Sequence, residues 1–158
     1  MERLFWLLPS AVLLLFDRVL KLWATCALTL GKPVPLVGDI VRLSRVHNTG
    51  GAFGLFPGNR AAFLAISALI SALLLASLLV GWAKGRWTKL GVAVLLAGAL
   101  GNLIDRAALG FVIDYFEIRG FPVFNLADAC VTVGAVLIIA HVLFGGERDR
   151  SGRQTDHA

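Results

Sequence analysis

Charge is what this sequence has least of. Only 16% of its 158 residues are Asp, Glu, Lys or Arg, where a soluble domain carries about 25%. The 58% apolar share lacks the polar cover that water demands, which points to a bilayer as solvent. Cysteine is nearly absent. Cys26 and Cys130, both in or beside apolar runs, make neither a disulfide framework nor a metal site. His47, His141 and His157 are far apart and lack zinc-motif spacing, so no metal and no cofactor are expected. No serine stands in a G-x-S-x-G context, and neither cysteine has a histidine nearby in sequence. The net charge of +5 comes from cations scattered between apolar runs. With no basic helix face and no aromatic-interleaved patch, the chain is not expected to bind nucleic acid.

What is present is long apolar sequence. A spanning helix needs about 20 mostly apolar residues, and four segments supply them, over about 5–28, 61–83, 90–108 and 125–144. Arg3 followed by Leu4–Phe16 imitates a secretory signal peptide. However, Asp17, Arg18 and Lys21 interrupt the run, apolar sequence resumes to Leu30, and no A-x-A site follows. The segment therefore reads as a retained membrane helix. The stretch Val34–Val46, rich in Val, Leu and Ile with Pro and Gly punctuation, predicts short strands lying on the membrane surface. Residues 145–158 are polar and Gly-containing, the composition of a disordered tail. The expected class is an all-α polytopic membrane protein, a single membrane-embedded domain over 1–144 with this tail after it.

Four spans put both termini on one side. That side and the loop Gly81–Lys89 hold Arg3, Lys84, Arg86, Lys89, Arg148, Arg150 and Arg153. The longer segments on the other side hold Lys32, Arg42, Arg45, Arg60 and Arg119. The bias predicts cytoplasmic termini and a cytoplasmic tail. On this topology Asp17, Arg18 and Lys21 fall in the outer half of the first span, and Asn102, Asp105, Arg106, Asn125 and Asp128 at the outer ends of the third and fourth. His47, Asn48 and Asp114 fall in the outer loops. The convergence needs only four spans, whichever way they run.

A charge within a span costs about 2.5–3.5 kcal/mol on insertion scales. Asp128 opens an 18-residue stretch without formal charge, and Asp114 stands between Val112-Ile113 and Tyr115-Phe116. Two carboxylates held together in an apolar site cannot both ionise easily, so they share a proton. Such a pair supplies a general base for water and a general acid for the departing amine.

Five motifs then carry a resemblance. Asn48-Thr49-Gly50-Gly51-Ala52-Phe53-Gly54 resembles N-x-G-A-A-F-[GS]. Gly98-Ala99-Leu100-Gly101-Asn102-Leu103-Ile104-Asp105-Arg106 resembles G-x-x-G-N-x-x-D-R. Val112-Ile113-Asp114-Tyr115 fits V-x-D-[FY]. Phe121-Pro122-Val123-Phe124-Asn125-Leu126-Ala127-Asp128 fits F-P-x-F-N-x-A-D, and Asp17-Arg18-Val19-Leu20-Lys21 resembles D-x-x-[ST]-K. Together they are similar to the lipoprotein signal peptidases (signal peptidase II), over residues 17 to 134. The resemblance implies bacterial inner-membrane aspartic endopeptidases with the active site toward the periplasmic face. They remove signal peptides from diacylglyceryl-modified prolipoproteins, cutting just before the lipidated lipobox cysteine. It also implies inhibition by globomycin, and catalysis by Asp114 and Asp128. The implied fold has four transmembrane helices, a small extracytoplasmic β-cradle from about 33–57 and a short amphipathic extracytoplasmic helix. Leu20 departs from the usual Ser or Thr, Gly51 replaces a common Ala, and the stretch from Asp114 to Phe121 is short.

Asn48, Gly50, Asn102, Arg106 and Asn125 are the expected substrate-binding or site-positioning residues. Each has a plainer reading: Asn125 as a helix cap, Arg106 as a cation snorkelling to the interface, Asn48 and Asn102 as polar glue between helices. Asp17 and Lys21 read as an i,i+4 ion pair, with Asp105 as further structural support. Nothing demands more than a monomer contacting prolipoproteins and membrane lipids. The rival reading is a small proton-coupled transporter subunit, since intramembrane carboxylates also relay protons.

Overall fold

The computed structural model describes residues 2–50 and 60–144. A short turn α1 (Glu2–Phe5) leads into the long helix α2 (Leu7–Ala27). Pro9 lies in the first turn of α2, where its missing N–H costs nothing. Strands β1 (Val34–Val37) and β2 (Val41–Asn48) follow. Then come helices α3 (Arg60–Val80) and α4 (Arg86–Ala108), strand β3 (Val112–Ile118) and helix α5 (Leu126–Phe144). Of the described helices, α3, α4 and α5 are long and apolar enough to cross a membrane. The 21 residues of α2 match them in length, but Asp17, Arg18 and Lys21 break its apolar run.

The chain is thus a helical membrane protein with a small three-stranded antiparallel sheet, ordered β1-β2-β3. The sheet corrects the sequence reading in one respect. Residues 33–57 were expected to supply the cradle, yet its third strand comes from Val112–Ile118, expected as loop. Val-Ile-Asp-Tyr-Phe-Glu-Ile is rich in β-branched and aromatic residues, and β2 offers it an unpaired edge. Two helix boundaries also differ. Helix α3 stops at Val80 rather than near Ala83, because Gly81 turns to φ 91°, and α4 starts at Arg86 rather than 90. The expected short extracytoplasmic helix is not found among the described residues. Residues 51–57 of the expected cradle and the tail 145–158 lie outside them.

Helix α4 is the centre of the bundle, with α2, α3 and α5 all packed on it. Its contact with α5 is backbone-close. A Cβ on Gly98 would collide with the Ala127 carbonyl oxygen and stand 2.9 Å from the Val131 nitrogen. On the facing helix, a Cβ on Gly134 would stand 2.6 Å from both Gly91 O and Leu95 N. Small residues let two helix backbones approach where lipid offers no hydrophobic drive. Gly98→Ala is expected to force α4 and α5 apart and cost about 1–3 kcal/mol, the usual range for overpacking. A thermal unfolding midpoint in detergent equal to the wild type's would contradict this.

Helix ends are closed by side chains from distant segments. Arg45 donates to the Thr25 carbonyl at the end of α2 (2.9 Å), and Arg3 to the Leu79 carbonyl at the end of α3 (3.0 Å). Helix α4 ends where Gly110 takes φ 85° and its N–H bonds the Arg106 carbonyl, the usual glycine stop. The chain then enters β3 beside β2, with Asn48 paired to Val112 and Val46 to Asp114. A bulge between Leu43 and Val46 adds twist close to Asp114. After a turn at Arg119–Gly120, Phe124 bonds back to Phe116 in both directions (2.8 and 2.9 Å). That return places Asn125 beside Asp114 at the start of α5.

Candidate active site

The end of α4 and the start of α5 meet the sheet around a cavity of about 850 Å³. Asp114, Asp128, Asn48, Gly50 and Arg106 line it, with His47, Thr49 and an apolar wall that includes Val112, Phe121, Phe124 and Val131. Asp114 is 1% exposed, while Asp128 is half-buried.

Amide groups hold both carboxylates. Asn125 Nδ2 donates to Asp114 Oδ1 (2.6 Å) and Asn48 Nδ2 to Asp114 Oδ2 (2.9 Å). Asn102 Nδ2 donates to Asp128 Oδ1 (2.8 Å), and the Asn125 backbone N–H to Asp128 Oδ2 (3.2 Å). Asn125 therefore touches both acids, one with its side chain and one with its backbone. Its Oδ1 also accepts the Asp128 N–H at 2.9 Å. Asn125 and Asp128 thus form a reciprocal cap with the geometry of a capping box. The cap and the positioning role, alternatives at the sequence level, are one arrangement here.

Neutral donors orient a carboxylate without cancelling its charge. Burial first, and then the charge of Asp128, push the Asp114 carboxyl up from 3.8 to about 7, against the opposing pull of the Asn48 and Asn125 hydrogen bonds. Arg106 lines the same cavity and feels both carboxylates. Its guanidinium lies 5.6 Å from the Phe63 ring centroid. Gly50 donates its N–H to Asn48 Oδ1 (3.0 Å), which locks the asparagine so that its amide nitrogen faces Asp114. The residues following Gly50 in that motif lie outside the described ones.

Asn102 and Asn125 do not line the cavity; they stand behind the carboxylates. Asn102 Oδ1 accepts from Lys21 Nζ and from Asn125 Nδ2, each at 3.2 Å. Asp17 and Lys21 do form the expected i,i+4 pair (3.2 Å), but within a larger network. Lys21 also pairs with Asp105 at 2.8 Å, and Arg18 pairs with Asp17 and with Asp105, each at 2.6 Å.

Two contributors escaped the sequence reading. Arg18 falls in the outer half of its expected span, where nothing in the sequence gives it a role. Tyr115 reads in the sequence only as part of the apolar surroundings of Asp114, yet its hydroxyl accepts the Leu126 N–H at 3.2 Å. With Asp17 Oδ1 on the Ala127 N–H (3.1 Å) and Asn125 Oδ1 on the Asp128 N–H, the first three N–H groups of α5 are each satisfied by a different side chain. His47 stacks on Phe111, ring centroids 3.9 Å apart. Burial, and then the neighbouring Arg45, hold its pKa below the ordinary value.

A carboxylate pair at the mouth of a membrane helix bundle, oriented by amides beside a largely apolar cavity, is an arrangement that suits a membrane-embedded peptidase of the aspartic class. The family model for Signal peptidase (SPase) II matches residues 10–144. A lipoprotein signal peptidase of Halothermothrix orenii is 37% identical over 131 residues, covering 83% of this chain and 90% of that protein. One of Nostoc sp. is 37% identical over 140 residues, covering 87% and 88%. A solved bacterial membrane enzyme, obtained by the in meso method, superposes with a TM-score of 0.82 at 28% identity. That match covers 88% of this chain and 87% of the other. The chain belongs to the signal peptidase II family of aspartic peptidases.

Proposed function

We propose that Asp114 and Asp128 carry the hydrolysis, and that the bond cut lies just before the diacylglyceryl-modified cysteine of a prolipoprotein. The activity itself, removal of signal peptides from prolipoproteins, follows from the family. The observation that carries the residue assignment is Asn125, which bonds both aspartates at the wall of one cavity.

The labour divides by environment. Asp114, buried and pushed up to about 7, holds the shared proton and donates it to the scissile carbonyl oxygen. Asp128 is more open, and it stands in the first turn of α5, where the helix dipole favours a carboxylate. It takes a proton from a water molecule as the water oxygen attacks the carbonyl carbon. It then returns that proton to the amine nitrogen as the C–N bond breaks, while Asp114 recovers its own from the collapsing diol. The titration belongs to the pair. Asn48, Gly50 and Arg106 border the cavity where the substrate backbone would lie, and Asn102 and Asn125 hold the acids in place. No cofactor takes part.

The largely apolar lining suits acyl chains arriving from the bilayer, and globomycin-type inhibitors would occupy the same space. The cation asymmetry supports cytoplasmic termini and a periplasmic site in a bacterial inner membrane, and the chain works as a monomer. Purified protein is expected to cleave a diacylglyceryl prolipopeptide at the bond before the modified cysteine, read by mass spectrometry. The same peptide without its lipid should be cut at least about tenfold more slowly, the scale of binding energy from parts remote from the reacting bond. Equal rates would remove the lipid from the substrate definition.

A further inference from the structure

Behind the aspartate pair lies a set of four charges, Asp17, Arg18 and Lys21 on α2 and Asp105 on α4. Asp17, Lys21 and Asp105 are each no more than 2% exposed. Two carboxylates there need two cations, and Lys21 is only one. Arg18 is the second. Its guanidinium donates to Asp17 Oδ2 (2.6 Å), to Asp105 Oδ1 (2.6 Å) and to the Gly101 carbonyl (2.8 Å). Guanidinium is suited to such bridging, since its fixed fork serves several acceptors at once.

The carboxylates that Arg18 grips are attached to the site at matching points. Asp17 Oδ1 accepts the N–H of Ala127, the residue before Asp128 (3.1 Å). Asp105 Oδ2 accepts the N–H of Ile113, the residue before Asp114 (3.2 Å). A third link runs from Lys21 through Asn102 to Asp128 (3.2 and 2.8 Å). Removing the Arg18 charge would leave the buried set with a net negative charge. It would also loosen the two acids that fix the backbone ahead of each aspartate.

We propose that Arg18 is a positioning residue that clamps Asp17 and Asp105 against the backbone preceding Asp128 and Asp114, and whose charge sets the pH range in which that pair works. The proposal rests on the reading of Asp114 and Asp128 as the reacting pair. A net negative charge behind the pair makes losing either proton harder, so both limbs of the activity profile move to higher pH. A net positive charge moves them lower. The other charged or titratable groups around the pair and its support are Asp17 and Lys21 from α2, His47 from β2, Tyr115 beside Asp114 on β3, Asp105 and Arg106 from α4, and Cys130 from α5. All but Asp105 are unchanged across the variants below.

The experiment is the pH profile of kcat for purified Arg18→Gln, Arg18→Lys, Asp105→Asn and the double variant Arg18→Gln/Asp105→Asn, on the diacylglyceryl prolipopeptide. Arg18→Gln is expected to move the profile up by about one pH unit, the scale of Coulomb effects between partly buried charges. Its kcat falls on the order of tenfold with KM little changed, as for lost positioning. Arg18→Lys keeps the wild-type profile. Asp105→Asn moves it down, and the double variant, neutral again, moves it back. A purely structural role predicts lower kcat with no shift, or shifts of one sign. Profiles that superimpose on wild type, or a double variant that stays displaced, would overturn the proposal. If Arg18→Gln fails to fold, the downward shift of Asp105→Asn and its reversal in the double variant decide the matter. Asp114→Asn and Asp128→Asn run alongside. Were they to cleave at wild-type rates, the pair itself would be misassigned, whatever the Arg18 series shows.

Discussion

Asp114→Asn and Asp128→Asn are each expected to lower kcat about 10³-fold or more, within the range that general acid–base groups supply. Each variant removes one half of a proton-sharing pair, and neither amide can take or give the proton that the water and the leaving amine require. The readout is cleavage of the diacylglyceryl prolipopeptide by protein that still elutes as a folded species. The first variant carries a second expectation, on stability. Burial and the Asp128 charge raise the Asp114 carboxyl from 3.8 to about 7. Between those values the folded chain keeps a proton that the unfolded chain has released. Protonation therefore favours the folded state: the contribution is complete below about 4 and is lost as pH rises through about 7. The thermal midpoint of the wild type should fall across this window, and that of Asp114→Asn should fall less. Equal slopes would mean that Asp114 does not hold the proton.

Asn125→Ala carries the second large effect. The side chain donates to Asp114 at 2.6 Å and accepts the Asp128 N–H at 2.9 Å, so one truncation removes a donor from the Asp114 carboxylate and uncaps α5 at Asp128, whose own carboxylate keeps Asn102 and the backbone N–H of residue 125. Loss of an asparagine cap costs about 1 kcal/mol, and misplacing reacting groups by about 1 Å costs about 10² in rate. The expected result is a kcat about 100-fold lower with a modest drop in thermal midpoint. Asn125→Asp would restore the cap acceptor but place a third carboxyl beside Asp114 in place of a donor, so it should recover stability without recovering rate. Rescue of rate by Asn125→Asp would show that only the cap matters.

Much of the site was legible before the fold. The polar residues of α2, α4 and α5 stand out because each interrupts sequence that is otherwise apolar, and the expected four-span topology alone would bring them to one end. Asp17 and Lys21 pair because four residues are one helical turn.

Other features had no local signature. Asp114 reads as a loop residue until β2 is there to pair with Val112–Ile118. A strand edge is a property of two distant segments, and β-branched residues alone do not say where the partner is. Arg18 looks like one more charge in a crowded run. That it bridges carboxylates on α2 and α4 depends on the crossing of those helices at Gly101, where a Cβ would stand 2.7 Å from Asp17 Oδ2. Tyr115 gains its role only because α5 begins within reach of its hydroxyl.

The sequence by itself determined the solvent and singled out the carboxyl groups proposed for the chemistry, because apolar length and the cost of buried charge are read residue by residue. Only the tertiary structure decided how those acids are held. The hydrogen bonds of Asn48, Asn102 and Asn125, and the balance of Asp17, Arg18, Lys21 and Asp105, join segments up to about a hundred residues apart. Distances between such segments are set by helix crossing and strand pairing, which no single stretch of the chain encodes.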